Sequence, residues 1–143
     1  MREQTIEDGI LGTLTWDNDL EWWEGKQEIT PGHIISIFVS PNDEPSATVL
    51  KQARQAFVRA QRDEVALRRA AADRLLALHN EEWNEGPPTD SDAFINRMLV
   101  NEFAAYEDGS VEISYTDGDL FWGHTITVSV DKNGVARNAS ING

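Results

Sequence analysis

Three side chains in the C-terminal part of this sequence are of types that move protons: Glu102, Tyr115 and His124. A carboxylate, a phenol and an imidazole on one surface could perform acid–base chemistry if a pocket opened beside them. His124 stands in Asp117-Gly-Asp-Leu-Phe-Trp-Gly-His-Thr-Ile-Thr-Val128, which sets two aromatics, a glycine and a histidine between a turn signal and an apolar alternation. Other chemistry is poorly supplied. There is no cysteine, which removes disulfides, thiolate metal sites and a cysteine nucleophile. His33, His79 and His124 could join carboxylates around a metal, but His79-Asn-Glu-Glu82 occurs once and has no recognised ligand spacing. No Gly-x-Ser-x-Gly elbow or phosphate-cradling glycine loop is present, and Asp131-Lys-Asn-Gly134 lacks the terminal glutamate of a calcium loop. Neither a metal nor a cofactor is expected.

Whether the three residues meet depends on strand register. Leu99 to Tyr106, Val111 to Thr116, Leu120 to Val130 and Val135 to Ile141 read as strands separated by Asp108-Gly109, Gly118-Asp119 and Asn133-Gly134. A two-residue Gly118-Asp119 loop pairs Tyr115 with Trp122, Ile113 with His124 and Val111 with Ile126. That places His124 on the core face, where a histidine is more often a hydrogen-bonded structural residue than a catalyst. Through Asn133-Gly134, Val130 faces Arg137, Val128 faces Ala139 and Ile126 faces Ile141. A two-residue Asp108-Gly109 loop puts Glu102 opposite Tyr115, on the same face as His124. A one-residue shift instead buries Phe103 and Leu99 and expels Glu102, and the hydrophobic pattern supports both registers equally.

Two further blocks precede this meander. Ile10 to Trp16, Leu20 to Trp23 and His33 to Val39 read as strands, the last apolar on both faces and therefore central. After the breaker cluster Ser40 to Pro45, Ser46 or Thr48 can cap a helical block. Val49, Leu50, Ala53, Phe57 and Ala60, then Leu67, Ala71, Leu75 and Leu78, recur at helical spacing, with a break or bend at Arg62-Asp63. Thr89, Asp90 or Ser91 caps a short helix reaching about Met98. The expected fold is α+β: N-terminal strands and a four-stranded C-terminal meander forming a largely antiparallel sheet against a central helical pair, with residues 1–143 as one domain.

Charge narrows the partners. The net charge is −13, and outside Ser46 to Glu85 the chain has five basic and nineteen acidic residues. Phosphate contacts supply most nucleic-acid affinity, so nucleic acid is excluded as a direct ligand, whereas basic proteins are attracted. Met1 to Ile10 contains no apolar run and no window approaches a membrane span, which points to a cytoplasmic protein. Trp22 and Trp23 must point to opposite faces of a strand, so one can stand exposed among Glu21, Glu24 and Glu28. Glu21, Trp23, Glu24 and Glu28, with Asp117, Asp119 and Phe121 of the C-terminal turn, form the candidate partner-binding set.

Leu76-Ala-Leu-His-Asn-Glu-Glu-Trp83, the capped helix with Phe94, Ser114 to Ile126 and the closing Ile141-Asn-Gly143 together resemble bacterial domain-of-unknown-function family 2262. Gly12-Thr-Leu-Thr-Trp16 and Leu20-Glu-Trp-Trp-Glu24 are similar to that family's front end, so the resemblance covers nearly the whole chain. It implies no activity and supplies no catalytic residues. By analogy, small acidic bacterial domains of this kind often accompany toxins as immunity proteins. The leading expectation is a noncatalytic cytosolic protein that binds a basic protein partner as an antitoxin or immunity factor. An enzyme using Glu102, Tyr115 and His124 is one alternative, and a homodimeric structural or regulatory subunit is another.

Overall fold

The computed structural model describes residues 4–143. Strands β1 (Thr5–Asp8), β2 (Gly12–Asp17), β3 (Trp22–Thr30) and β4 (His33–Ser40) precede helices α1 (Ser46–Arg62) and α2 (Glu64–Leu78). A π-helical turn (His79–Trp83) and α3 (Ser91–Arg97) lead into β5 (Leu99–Tyr106), β6 (Val111–Thr116), β7 (Thr125–Val130) and β8 (Ala136–Asn142). The described strands form one eight-stranded sheet in sequence order, antiparallel throughout except where β4 lies parallel to β5. The fold is α+β. Residues 1–3 of the N-terminal stretch considered above lie outside the described residues. No helix among the described residues is long and apolar enough to cross a membrane.

Helices lie on one face of this sheet. Ile35, Ile37 and Val39 of the central strand β4 are buried beneath them, as are Phe103, Ile113, Ile126 and Val128 farther along. On α1 the buried positions Val49, Leu50, Ala53, Ala56, Phe57 and Ala60 follow the helical period and deliver Phe57 edge-on to Phe103, 5.3 Å between centroids. Each buried leucine, isoleucine or phenylalanine contributes about 1.5–3 kcal/mol, so this shared face dominates stability. The helical block breaks at Asp63, whose carboxylate binds the Arg62 guanidinium twice at 2.9 Å. In α2, Arg68 pairs with the nearly buried Glu64 at 2.8 Å and donates to the Ile95 carbonyl, tying α2 to α3. Neither Ser46 nor Thr48 caps α1, since no side chain serves there; the Ser46 hydroxyl instead accepts from the Trp23 indole. At α3 the Asp90 side chain caps the Ala93 amide.

Two registers differ from their expected forms, and that of β5 falls, apart from Leu99, to the second of the two left open. The β6–β7 connection spans residues 117–124, so Tyr115 faces Ile126, Ile113 faces Val128 and Val111 faces Val130. Leu120, Trp122 and His124 therefore belong to the connection and not to a strand. Between β5 and β6, Phe103 pairs with Ile113 and is buried, while Glu102 pairs with Ser114 on the opposite face. A bulge between Val100 and Glu102 then buries Val100 and leaves Leu99 exposed. Across β7–β8, Val128 does face Ala139 and Ile126 does face Ile141, but a bulge pairs Val130 with Ala136 in place of Arg137.

At the sheet's β1–β2 turn, the Asp8 carboxylate takes amides from Ile10 and Leu11 and the Arg54 side chain of α1 at 2.6 Å. Burial alone would raise its pKa, but the Arg54 guanidinium and the two amides outweigh that and hold it below the ordinary 3.8. A folded value below the unfolded one stabilises the protein above the unfolded pKa, and that stabilisation is lost as pH falls through the folded value. Arg54 is partly exposed, so solvent screening limits its ion pair with Asp8 to about 1 kcal/mol. Urea denaturation of Asp8→Asn should show a deficit of that order at pH 7. The deficit should shrink below about pH 4.

Candidate functional site: the Asp117 loop and the uncovered sheet face

The Asp117–His124 connection is built around one carboxylate. Asp117 is 3% exposed. Its Oδ1 accepts the Asp119 amide at 2.9 Å, and its Oδ2 accepts those of Phe121 and Gly123 at 2.9 and 3.1 Å. Three overlapping turns result, with Leu120, Trp122 and His124 amides donating to the carbonyls of Asp117, Asp119 and Phe121. This winding needs left-handed backbone at Gly118, Asp119, Trp122 and Gly123, with φ of 55°, 66°, 59° and 90°. Gly118 is also constrained by space, because a Cβ there would lie 2.4 Å from the Arg97 carbonyl oxygen. Arg97 in turn donates to the Gly118 carbonyl at 2.6 Å.

The winding drives Leu120 and Phe121 inward and Trp122 outward, at 0%, 0% and 63% exposure. Phe121 meets Phe94, His79 and Trp83, while Trp83 also contacts Trp122 and His124. The π turn presents buried His79 to the loop. Its Nδ1–H donates to the Leu120 carbonyl at 2.7 Å, and its Nε2 is hydrogen-bonded to the Thr89 hydroxyl at 3.1 Å. His124 donates through Nδ1 to the Phe121 carbonyl and is only partly buried. His33 likewise donates, through Nε2, to the Val100 carbonyl beside the bulge. All three histidines thus serve as backbone donors, His79 and His124 on the adjacent Leu120 and Phe121 carbonyls of this loop and His33 apart from them. Among the described residues, no three His, Asp or Glu side chains are grouped to hold a metal.

The acid–base trio is not assembled. Tyr115 is fully buried under the helices, Glu102 points from the other side of the sheet, and His124 lies in the connection. Among the described residues the Tyr115 hydroxyl has no hydrogen-bond partner; burial first, and then the Glu64 charge, push its pKa upward. In the partner-binding set, Glu21, Glu28 and Asp119 are exposed and Glu24 is half-buried. Trp23, Asp117 and Phe121 are buried and unavailable to a partner: Trp23 packs edge-on against Trp16, and the other two hold the loop together.

Its neighbour Trp22 takes the outward place that alternation required for one of the pair. It lies on the face that no helix covers, its ring tilted against that of Phe38 at 47° with centroids 4.8 Å apart, and its indole donates to Glu24. Register places Glu24 beside Phe38, Phe38 beside Ala104, Ala104 beside Glu112, and Ser36 beside Glu102. Tyr106 and the 62%-exposed Ile34 extend the apolar ground. Lys26 shares this face, and Arg137 at its far side is paired with Asp131 at 2.7 Å. Burial first, then a hydrogen bond to Glu112, raise the Tyr106 phenol to about 12, so it stays neutral. The sequence singles out Trp22 only as one of a pair of which either could face outward, and it does not single out Phe38 and Tyr106. The alternation Ile34, Ser36, Phe38 was the available signal, and it became informative only once the helices proved to cover a single face.

A family model described as "Uncharacterized protein conserved in bacteria (DUF2262)" matches residues 8–141. The chain belongs to this family. No curated protein and no solved structure matches it. Two of the segments that resemble DUF2262 pack on each other. Leu76–Trp83 and Asp117–His124 are the two halves of one packed unit, joined by His79 to Leu120 and by the Trp122 indole to the Trp83 carbonyl at 3.0 Å.

Asp117→Asn should be far from conservative. An amide nitrogen would face backbone N–H groups that now meet a carboxylate oxygen, leaving at least one buried donor unpaired. Each such donor costs about 1–3 kcal/mol. Gly118→Ala should be comparably damaging through the clash with Arg97. Urea denaturation of both variants, against the exposed control Asn133→Ala, checks the assignment.

Proposed function

We propose that this DUF2262 protein is a noncatalytic binding protein of the bacterial cytoplasm. It docks a basic protein partner on the uncovered face of its sheet, in the manner of an immunity or antitoxin factor. The observation that carries this reading is the island of Trp22 and Phe38, continued by Tyr106, with Glu24, Glu102 and Glu112 around it. Partly exposed aromatics with little rotamer freedom make strong anchors, and the surrounding carboxylates favour a positive partner and speed its approach. The net charge of −13 acts in the same sense at longer range.

The test is binding to the purified product of the adjacent gene, followed by calorimetry and stopped-flow fluorescence. Trp22→Ala should weaken affinity by about 2 kcal/mol or more, mainly through faster dissociation. The triple reversal Glu24→Lys, Glu102→Lys, Glu112→Lys should slow association about tenfold or more at low salt, with the difference closing near 1 M as charges are screened. Binding untouched by both sets would overturn the reading. So would a homodimer, seen by light scattering, that Trp22→Ala dissociates.

A further inference from the structure

The one parallel pairing leaves a cleft at the carboxyl ends of β4 and β5. After Ser40 the chain leaves toward the helices, whereas after Tyr106 it turns back into β6. The two exits diverge and leave a gap between them. The β2–β3 turn supplies a third wall, and the cleft, open to solvent on one side, offers about 460 Å³. Its walls carry two aromatic rings, Trp16 and Tyr106, with Leu20 beside them and three carboxylates, Glu21, Asp43 and Glu107.

These groups select an occupant. None of the three carboxylates takes part in an ion pair among the described residues. Asn42 donates to one oxygen of Glu107 at 2.9 Å and so orients that carboxylate. Anions are repelled here, and neutral ligands leave the charge uncompensated. A metal ion needs ligands that converge, and among the described residues these carboxylates form no such group. Dispersed carboxylates and aromatic walls suit a flat, polyatomic cation. A guanidinium stacks on aromatic rings and offers several donors in a fixed fork, which an ammonium does not. Tyr106 belongs to both this cleft and the uncovered face, so an occupant of that face can reach around the strand ends into it.

We propose that this cleft receives an arginine side chain of the basic partner, an assignment that rests on the docking reading above and names the chemistry at its edge. The intact protein, labelled with ¹⁵N, is titrated with N-acetyl-arginine amide, with the neutral isostere N-acetyl-citrulline amide, and with N-acetyl-lysine α-amide. Arginine amide should shift the Ser40, Asn42 and Tyr106 amides saturably. Citrulline and lysine amides should bind about tenfold more weakly or worse. The double variant Asp43→Asn, Glu107→Gln should lose about tenfold in arginine-amide affinity and in partner affinity, with an unchanged melting temperature. Equal response to citrulline or lysine amide, or shifts lying elsewhere, would overturn the assignment. So would arginine-amide binding with partner affinity unaffected by the double variant. If Trp22→Ala weakens the partner while the cleft ignores arginine amide, only the cleft assignment fails. If the cleft takes arginine amide while the partner ignores both Trp22→Ala and the charge reversals, the docking reading fails.

Discussion

Parallel alignment of β4 with β5 is the constraint on which the rest of the molecule depends. Two parallel neighbours cannot be joined by a tight turn, so residues 41–98 must climb from one end of the sheet back to the other. All the described helices fall within that single crossover and lie against one face, where Ile35, Ile37, Val39 and Phe103 meet them. The flanking strands are antiparallel meanders whose short connections carry no helix for the other face. One crossover thus produces a dry face, an uncovered face and a cleft at the strand ends.

A second constraint acts at the far side of the sheet. The Asp117 carboxylate replaces a tight hairpin with a wound loop, satisfying three amides that a two-residue turn would have committed to the ladder or to solvent. The loop's buried Phe121 ring then seats on the π turn at the end of α2, where His79 and Trp83 complete the contact. Left-handed backbone at Trp122, which costs a bulky residue about 1–2 kcal/mol, persists because the surrounding bonds determine it. The histidine that first suggested chemistry is one of these bonds.

How far the sequence was legible follows from which properties are local. The alternation in Val111, Ile113, Tyr115 and in Ile126, Val128, Val130 assigned the core face correctly, because a strand's parity survives any even shift of register. The pairing partner did not survive it: Tyr115 faces Ile126 and not Trp122, four residues along, since the loop length was set by a side chain and not by the Gly118-Asp119 signal. An odd shift is unforgiving. One residue in β5 separates a sheet face shared by Glu102 and Tyr115 from the observed one, and the choice went to burying Phe103 against Phe57, a residue of the distant α1.

The sequence by itself determined the fold class, the helical block with its break near Asp63, the inner face of most strands, the net acidity and the family. Each of these is written in composition or in short-range periodicity. Only the tertiary structure decided that Trp22 and not Trp23 stands on the uncovered face, that Asp117 and Phe121 are interior, and that Glu102, Tyr115 and His124 lie apart. Those outcomes depend on which face the helices cover and on where a loop's hydrogen bonds terminate. Both are settled by competition among residues far apart in the chain, and no local pattern records its result.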